Sequence, residues 1–159
     1  MSQLSLTGRR WNEVAGQGHS LFAYGTLQFP EVLEVLIDRV PSLTPTAAPG
    51  WRVAALTDRL YPGLVAAPSS VAHGVVLDDL TASEWAILDT FEDDEYDLRT
   101  ISVLDPPRTA LTYVWTDVVG QALWHPEVFI ENHLPAFLAR TRTWRTTLRW
   151  QSAMASLPL

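Results

Sequence analysis

The segment from Leu21 to Ile37 constrains this chain most. Leu21-Phe22-Ala23 is a short apolar run, Tyr24-Gly25-Thr26-Leu27 follows it, and Pro30 heads a helical pattern. Val32, Leu33, Leu36 and Ile37 recur at i, i+1, i+4 and i+5, one face of a short helix that Pro41 closes. Residues 20–25 therefore read as a strand that passes, through a glycine-bearing turn, into a proline-headed helix. Such a turn presents backbone N–H groups that have no strand partner, and it can hold a carboxylate or a developing oxyanion.

The rest of the chain mixes both periodicities. Residues 41–50 read as a proline- and threonine-rich loop and residues 51–56 as a strand. Tyr61-Pro62-Gly63-Leu64 has turn chemistry and leads into another extended piece. Residues 71–77 are β-rich, with Gly74 in the interior marking a bulge or a close backbone approach. Thr81-Ala82-Ser83-Glu84 is a capping box, so a helix begins near Ala82. Residues 96–104 and 110–116 are the next strands, a hairpin around Pro106-Pro107. Residues 126–139 form a helix with Val128, Ile130, Leu134, Phe137 and Leu138 as core contacts; residues 140–150 either extend it or pack back separately. No regular βαβ alternation is present, so the fold class is α+β. The expected organisation is one domain over residues 1–159: a lead-in at 1–18, a core at 19–140 and a C-terminal extension at 141–159.

Composition removes several chemistries. The chain has no cysteine and no lysine, which excludes thiolate nucleophiles, disulfides, a Schiff-base lysine and a P-loop lysine. An all-arginine basic set in an alanine-rich chain points to a GC-rich, bacterial-type genome. The formal net charge of −7 speaks against a general nucleic-acid or anionic-membrane binder. No apolar run would span a bilayer, and Arg9-Arg10 is not followed by a signal-type stretch, so the expected location is cytoplasmic. His19, His73, His125 and His133 have no metal-ligand spacing, and no Gly-x-Ser-x-Gly elbow occurs. No metal or other cofactor is expected. The arginines at 140, 142, 145 and 149 read as a solvated helix face or as local ion pairs.

The second unusual segment is Leu88-Asp89-Thr90-Phe91-Glu92-Asp93-Asp94-Glu95-Tyr96. On the capping-box helix Trp85, Leu88 and Glu92 fall at i, i+3 and i+7, so Glu92 shares the apolar stripe unless the helix ends just before it. A carboxylate in apolar surroundings has its pKa raised, and neighbouring acids push the same way. Both effects suit a general acid or base near neutral pH. The competing reading is a solvated acidic loop after a helix.

Taken together, these pieces resemble the γ-glutamylcyclotransferase-like superfamily, in particular its AIG2-like and γ-glutamylamine cyclotransferase branch. The resemblance rests on Phe22-Ala23-Tyr24-Gly25-Thr26-Leu27, Tyr61-Pro62-Gly63-Leu64-Val65, Val71-Ala72-His73-Gly74-Val75-Val76-Leu77, and Leu88-Asp89-Thr90-Phe91-Glu92 with Tyr96, in that order. It implies a small mixed β-barrel with packed helices. It implies that Tyr24, Gly25, Thr26 and Leu27 bind a γ-glutamyl group, with Glu92 as catalytic acid/base and Tyr96 and Tyr113 near the pocket. One departure stands out: the arginine that the family has two residues after the tyrosine is here one residue later, at Arg99. Either a bulge absorbs the shift or Arg99 does not play that part.

The activity so implied is closure of a γ-glutamyl group to 5-oxoproline with release of an amine. The expected partner is a small-molecule γ-glutamyl substrate, with no nucleic acid and no membrane. A homodimer is possible through the Trp-rich C-terminal region. A non-catalytic binding module on the same fold and a glutathione- or γ-glutamyl-peptide-specific cyclotransferase remain open alternatives.

Overall fold

The computed structural model describes residues 10, 19–104 and 106–156. Apart from Arg10, the expected lead-in lies outside the described residues. Five strands, β1 (Leu21–Ala23), β2 (Ser42–Ala55), β3 (Pro62–Asp78), β4 (Tyr96–Val103) and β5 (Arg108–Trp115), form one mixed sheet of order β2-β3-β1-β5-β4. Among the described residues the α-helices α1 (Pro30–Ile37), α2 (Ala82–Phe91), α3 (Pro126–Asn132) and α4 (Leu134–Ala155) pack with it in an α+β fold. None of the described helices is long and apolar enough to cross a membrane.

The short central strand determines the architecture. β1 runs antiparallel to β3, with Phe22 opposite Val76, and parallel to β5, with Leu21 opposite Leu111. Beyond Ala23 it leaves the sheet, and β3 and β5 come together directly at Leu64 and Val114. The chain between Tyr24 and Leu27 is thereby extruded at the point where two strands close behind it. Gly74 allows the close approach expected of it, since a Cβ there would lie 2.4 Å from the Ala23 carbonyl oxygen. At the far edges, the Leu104 N–H donates to Ala47 O at 3.0 Å. The sheet therefore curls toward a barrel without a ladder closing it.

Strand alternation sorts the side chains onto two faces. Phe22, Leu64, Val76, Ile101, Val103 and Val114 fill the concave interior. Leu21, Leu77, Leu111, Tyr113 and Trp115 face the helices, where they meet Leu33, Trp85, Leu88, Phe129 and Phe137.

Three expectations need correction. Residues 42–49 belong to β2 and are not a loop; Pro45 and Pro49 are tolerated because β2 is an edge strand. A register shift between Pro49 and Trp51, with Gly50 at φ 87°, absorbs the irregularity. The helix expected over 126–139 is two helices with the break at His133, because Pro135 starts a new first turn. Val128 and Ile130 are exposed, and Phe129 is buried instead. α4 then runs unbroken through residue 140 and buries Thr141, Trp144 and Leu148. Two of its arginines reach the end of α1 and do not pair locally: Arg145 Nε donates to Leu36 O at 2.7 Å, and Arg149 pairs with Asp38, 109 and 111 positions away.

Candidate active site

Where β1 leaves the sheet, a cavity of about 300 Å³ opens on the helix side. The Tyr24–Leu27 turn forms one wall, and Gly25 is its tightest point. A Cβ on Gly25 would lie 2.9 Å from Pro62 Cγ, so only glycine lets the turn seat against β3. Gly63, next to Pro62, plays the same part against Trp115, whose Cβ would lie 2.6 Å from an added methyl. Thr26–Gln28 is a single 3₁₀ turn, pinned by Gln28 Nε2 donating to Tyr24 O at 2.7 Å. Among the described residues, no acceptor serves the N–H groups of Gly25, Thr26 or Leu27, although all three residues are buried. Buried N–H groups without acceptors form a site poised for an anionic or carbonyl oxygen.

Glu92 forms the opposite wall. The capping box is present as expected, with Glu84 N donating to Thr81 Oγ1 at 3.2 Å and Thr81 N donating to Glu84 Oε1 at 2.9 Å. α2 ends at Phe91, and Glu92 follows with extended backbone at φ −78° and ψ 142°. Trp85 and Leu88 are buried on the apolar stripe as the wheel predicts. Glu92 reaches the pocket through the chain's exit from the helix, which is the second of the two geometries open in the sequence. Among the described residues, nothing donates a hydrogen bond to its carboxylate. Glu92 is half-buried; its loss of solvation in the tyrosine-lined cavity, opposed by Arg10 and reinforced by Asp93 and Asp89, pushes its pKa up to about 8.

Tyrosines line the space between these walls. Tyr24 Oη donates to Tyr113 O at 2.5 Å, Tyr96 Oη to Pro62 O at 2.5 Å, and Tyr113 Oη to Asp89 Oδ1 at 2.8 Å. Tyr61 Oη bonds to the Asp93 carboxylate. Burial holds Tyr24, Tyr96 and Tyr113 well above the usual phenol pKa, and Tyr61 is raised by burial and by Asp93, so all four remain neutral. Their hydroxyls hold neighbouring strands and Asp89 in position and leave the Glu92 carboxylate free.

All seven residues expected at the site, Tyr24, Gly25, Thr26, Leu27, Glu92, Tyr96 and Tyr113, line this one cavity. Arg99 does not. β4 and β5 pair without a bulge, with Leu98 opposite Tyr113 and Arg99 opposite Thr112. Leu98 is buried, whereas Arg99 is exposed and bonds to Asp97. The guanidinium beside Tyr113 and Asp89 belongs to Arg10, which sequence reasoning did not single out. Asp89, Tyr61, Arg59 and Arg140 were also missed as neighbours of the site. Asp89 carries a faint signal, an acidic residue one position after the buried Leu88. Arg10 carries none, because its partners are 79 and more positions away.

A family model for "Gamma-glutamyl cyclotransferase, AIG2-like" matches residues 21–131. AIG2-like protein D of Arabidopsis thaliana is 32% identical over 134 residues, covering 78% of this chain and 87% of the relative. AIG2-like protein C of the same plant is 33% identical over 133 residues, covering 78% and 76% respectively. A solution structure of another Arabidopsis thaliana protein superposes with a TM-score of 0.60 at 27% identity, covering 91% of this chain and 97% of that one. A solved structure described as gamma-glutamyl cyclotransferase gives a TM-score of 0.58 at 16% identity, covering 79% and 87%, a likeness of fold. With the Tyr-Gly-Thr-Leu turn, the Leu-Asp-x-Phe-Glu segment and the curled sheet that brings them together, the chain belongs to the gamma-glutamyl cyclotransferase, AIG2-like family.

Proposed function

We propose that this protein closes a γ-glutamyl group to 5-oxoproline and releases the attached amine, with Glu92 as general acid/base. One observation carries the reading. A carboxylate with a pKa near 8 and no hydrogen-bond donor among the described residues lines the same cavity as a buried turn whose N–H groups lack acceptors.

Each part then has a task. The α-ammonium of the substrate must lose a proton before its nitrogen can attack the γ-carbonyl, and ionised Glu92 takes it. The new C–N bond closes the five-membered ring while negative charge gathers on the carbonyl oxygen. The N–H groups of Gly25, Thr26 and Leu27 stabilise that oxygen or the substrate carboxylate. As the original amide bond breaks, Glu92 returns the proton to the departing nitrogen; the carboxylate so regenerated takes the second proton from the ring nitrogen and passes it to the released amine, which leaves as an ammonium. The tyrosine-lined cavity holds the flexible glutamyl chain bent, so that amine and carbonyl meet without a further entropic cost, worth several kcal/mol.

The test is 5-oxoproline release by the wild type and by Glu92→Gln on a panel of γ-glutamyl amines, γ-glutamyl amino acids and glutathione. Release by wild type alone is expected. Equal release by Glu92→Gln would remove Glu92 from the chemistry, and saturable binding without release would make the domain a binding module.

A further inference from the structure

We propose that Arg10 is a positioning residue for Glu92, supplied to the site from the segment that precedes the family-matched region. The proposal rests on the function given above. All five guanidinium N–H donors find acceptors, and these converge on the chain on either side of Glu92. Nε donates to Asp89 Oδ1 at 3.0 Å. One terminal nitrogen donates to Asp93 O at 2.7 Å and Tyr96 O at 3.0 Å. The other donates to Asp89 O at 2.5 Å and Glu92 O at 3.0 Å. The Arg10 backbone N–H adds a bond to Asp89 Oδ2 at 3.2 Å, and the guanidinium lies over the Tyr113 ring, 5.3 Å from its centroid.

The last carbonyls of a helix have no partner within it. At the end of α2 the Arg10 guanidinium serves two such carbonyls from outside, Asp89 O in the last turn and Glu92 O at the cap position, and extends to Asp93 O and Tyr96 O beyond them. Three of the gripped carbonyls, at 89, 92 and 93, bracket the exit turn that carries the Glu92 side chain, and the fourth, at 96, begins β4. The backbone of Glu92 is therefore held on both sides while its carboxylate stays unbonded. Asp89, by contrast, is 1% exposed and commits both its oxygens to Arg10 and Tyr113. Its role is to orient the guanidinium. Lysine would keep the charge at position 10 and lose the fork.

Several charged and titratable groups surround the Glu92 carboxyl. Arg10, Asp89 and Asp93 lie behind it; Tyr24, Tyr61, Tyr96 and Tyr113 line the cavity; and Arg59 and Arg140 stand elsewhere in the lining. Of these, Arg10 is the one that favours the ionised form of Glu92.

The experiment uses the full chain with Arg10→Lys and Arg10→Ala. It combines 5-oxoproline kinetics with a carbon-13 NMR titration of the Glu92 carboxyl, assigned by its loss in Glu92→Gln. Arg10→Lys is expected to lower kcat about 10- to 100-fold with KM within a few-fold, because a small misplacement of a catalytic group has that effect, and to leave the titration midpoint near the wild-type value. Arg10→Ala is expected to lower kcat further and to raise the midpoint by about half a pH unit or more, since a cation has been removed. Added guanidinium ion, at concentrations that leave the fold intact, should restore part of the kcat of Arg10→Ala and none of that of Glu92→Gln. Wild-type kcat in Arg10→Lys, or an unmoved midpoint in a folded Arg10→Ala, would overturn the proposal. If the wild type releases no 5-oxoproline from any substrate, the functional reading falls; the titration then decides on Arg10 alone, a raised midpoint upholding it and an unmoved one overturning it.

Discussion

The two ends of α2 are closed in opposite ways. At its N-terminus, Thr81 and Glu84 satisfy each other across three residues, and Arg39 grips the Glu84 carboxylate with two bonds of 2.6 Å. At its C-terminus, carbonyls at 89 and 92 accept from Arg10, 79 and 82 positions away. The first closure is built on the three-residue capping box, with Arg39 added from 45 positions away, and contributes nothing to the cavity lining. The second is half-buried beside the cavity and positions the one carboxylate, among the described residues, with a strongly raised pKa. Stability can be supplied locally, whereas placing a catalytic group draws on remote parts of the chain, because the group must be fixed relative to a pocket that several elements build.

The predictions measure how sharp that contrast is. The largest effect belongs to the C-terminal end: Glu92→Gln is expected to lower kcat by about 10²–10⁴-fold, the range for losing a general acid/base. In the wild type, the ascending limb of kcat/KM should lie near pH 8, because the carboxylate form accumulates only above the raised pKa.

The same residue should show the reverse sign in stability. Its folded pKa of about 8 exceeds the ordinary value of 4.5, so between those values the native state binds a proton that the unfolded chain has released. Native stability from this group is therefore intact below about pH 4.5 and is lost as pH rises toward 8. Glu92→Gln should be more stable than wild type by roughly 1–3 kcal/mol at pH 8.5, with the gap closing near pH 4.5. Denaturant midpoints at the two pH values test this, and a gap that does not depend on pH would show that Glu92 is not held in a desolvated site.

Across the cavity, Gly25→Ala drives a methyl against Pro62, and about 1–3 kcal/mol of stability should be lost through overpacking. KM should rise in the same variant as the turn is displaced, so unchanged stability and KM would mean that the turn yields freely. The smallest effect belongs to the N-terminal end of α2. Thr81→Ala should cost about 1 kcal/mol, as lost N-caps do, with kcat and KM unchanged. A drop in kcat there, measured on fully folded protein, would show that both ends of the helix serve the site and would dissolve the contrast.

Legibility in the sequence follows the range of the forces involved. The capping box, the hairpin around Pro106-Pro107 and the strand–turn–helix at 21–37 are readable because each is decided by neighbours a few residues apart. Gly74 is readable for a related reason: a strand interior disfavours glycine unless a bulge or a close backbone approach requires it. Residues 42–49 read as a loop because proline argues against a strand unless that strand is an edge, and position within a sheet is a tertiary property. Val128 and Ile130 face solvent because residues 126–132 form a separate short helix that turns Phe129 to the core, and a helical period read across the break at His133 does not register that.

The site divides along the same line. Residue order was enough for the α+β class, the glycine-bearing turn and an acidic residue at the end of an apolar helix face, since local sterics and periodicity suffice for each. The assembled fold was needed to show that β1 leaves the sheet where β3 and β5 close, which brings the turn and Glu92 to one cavity. It was also needed to place Leu98 inward with Arg99 facing solvent, and to make Arg10 the guanidinium beside Asp89 and Tyr113. These depend on contacts between residues tens of positions apart, formed only once the sheet has curled and the helices have packed on it.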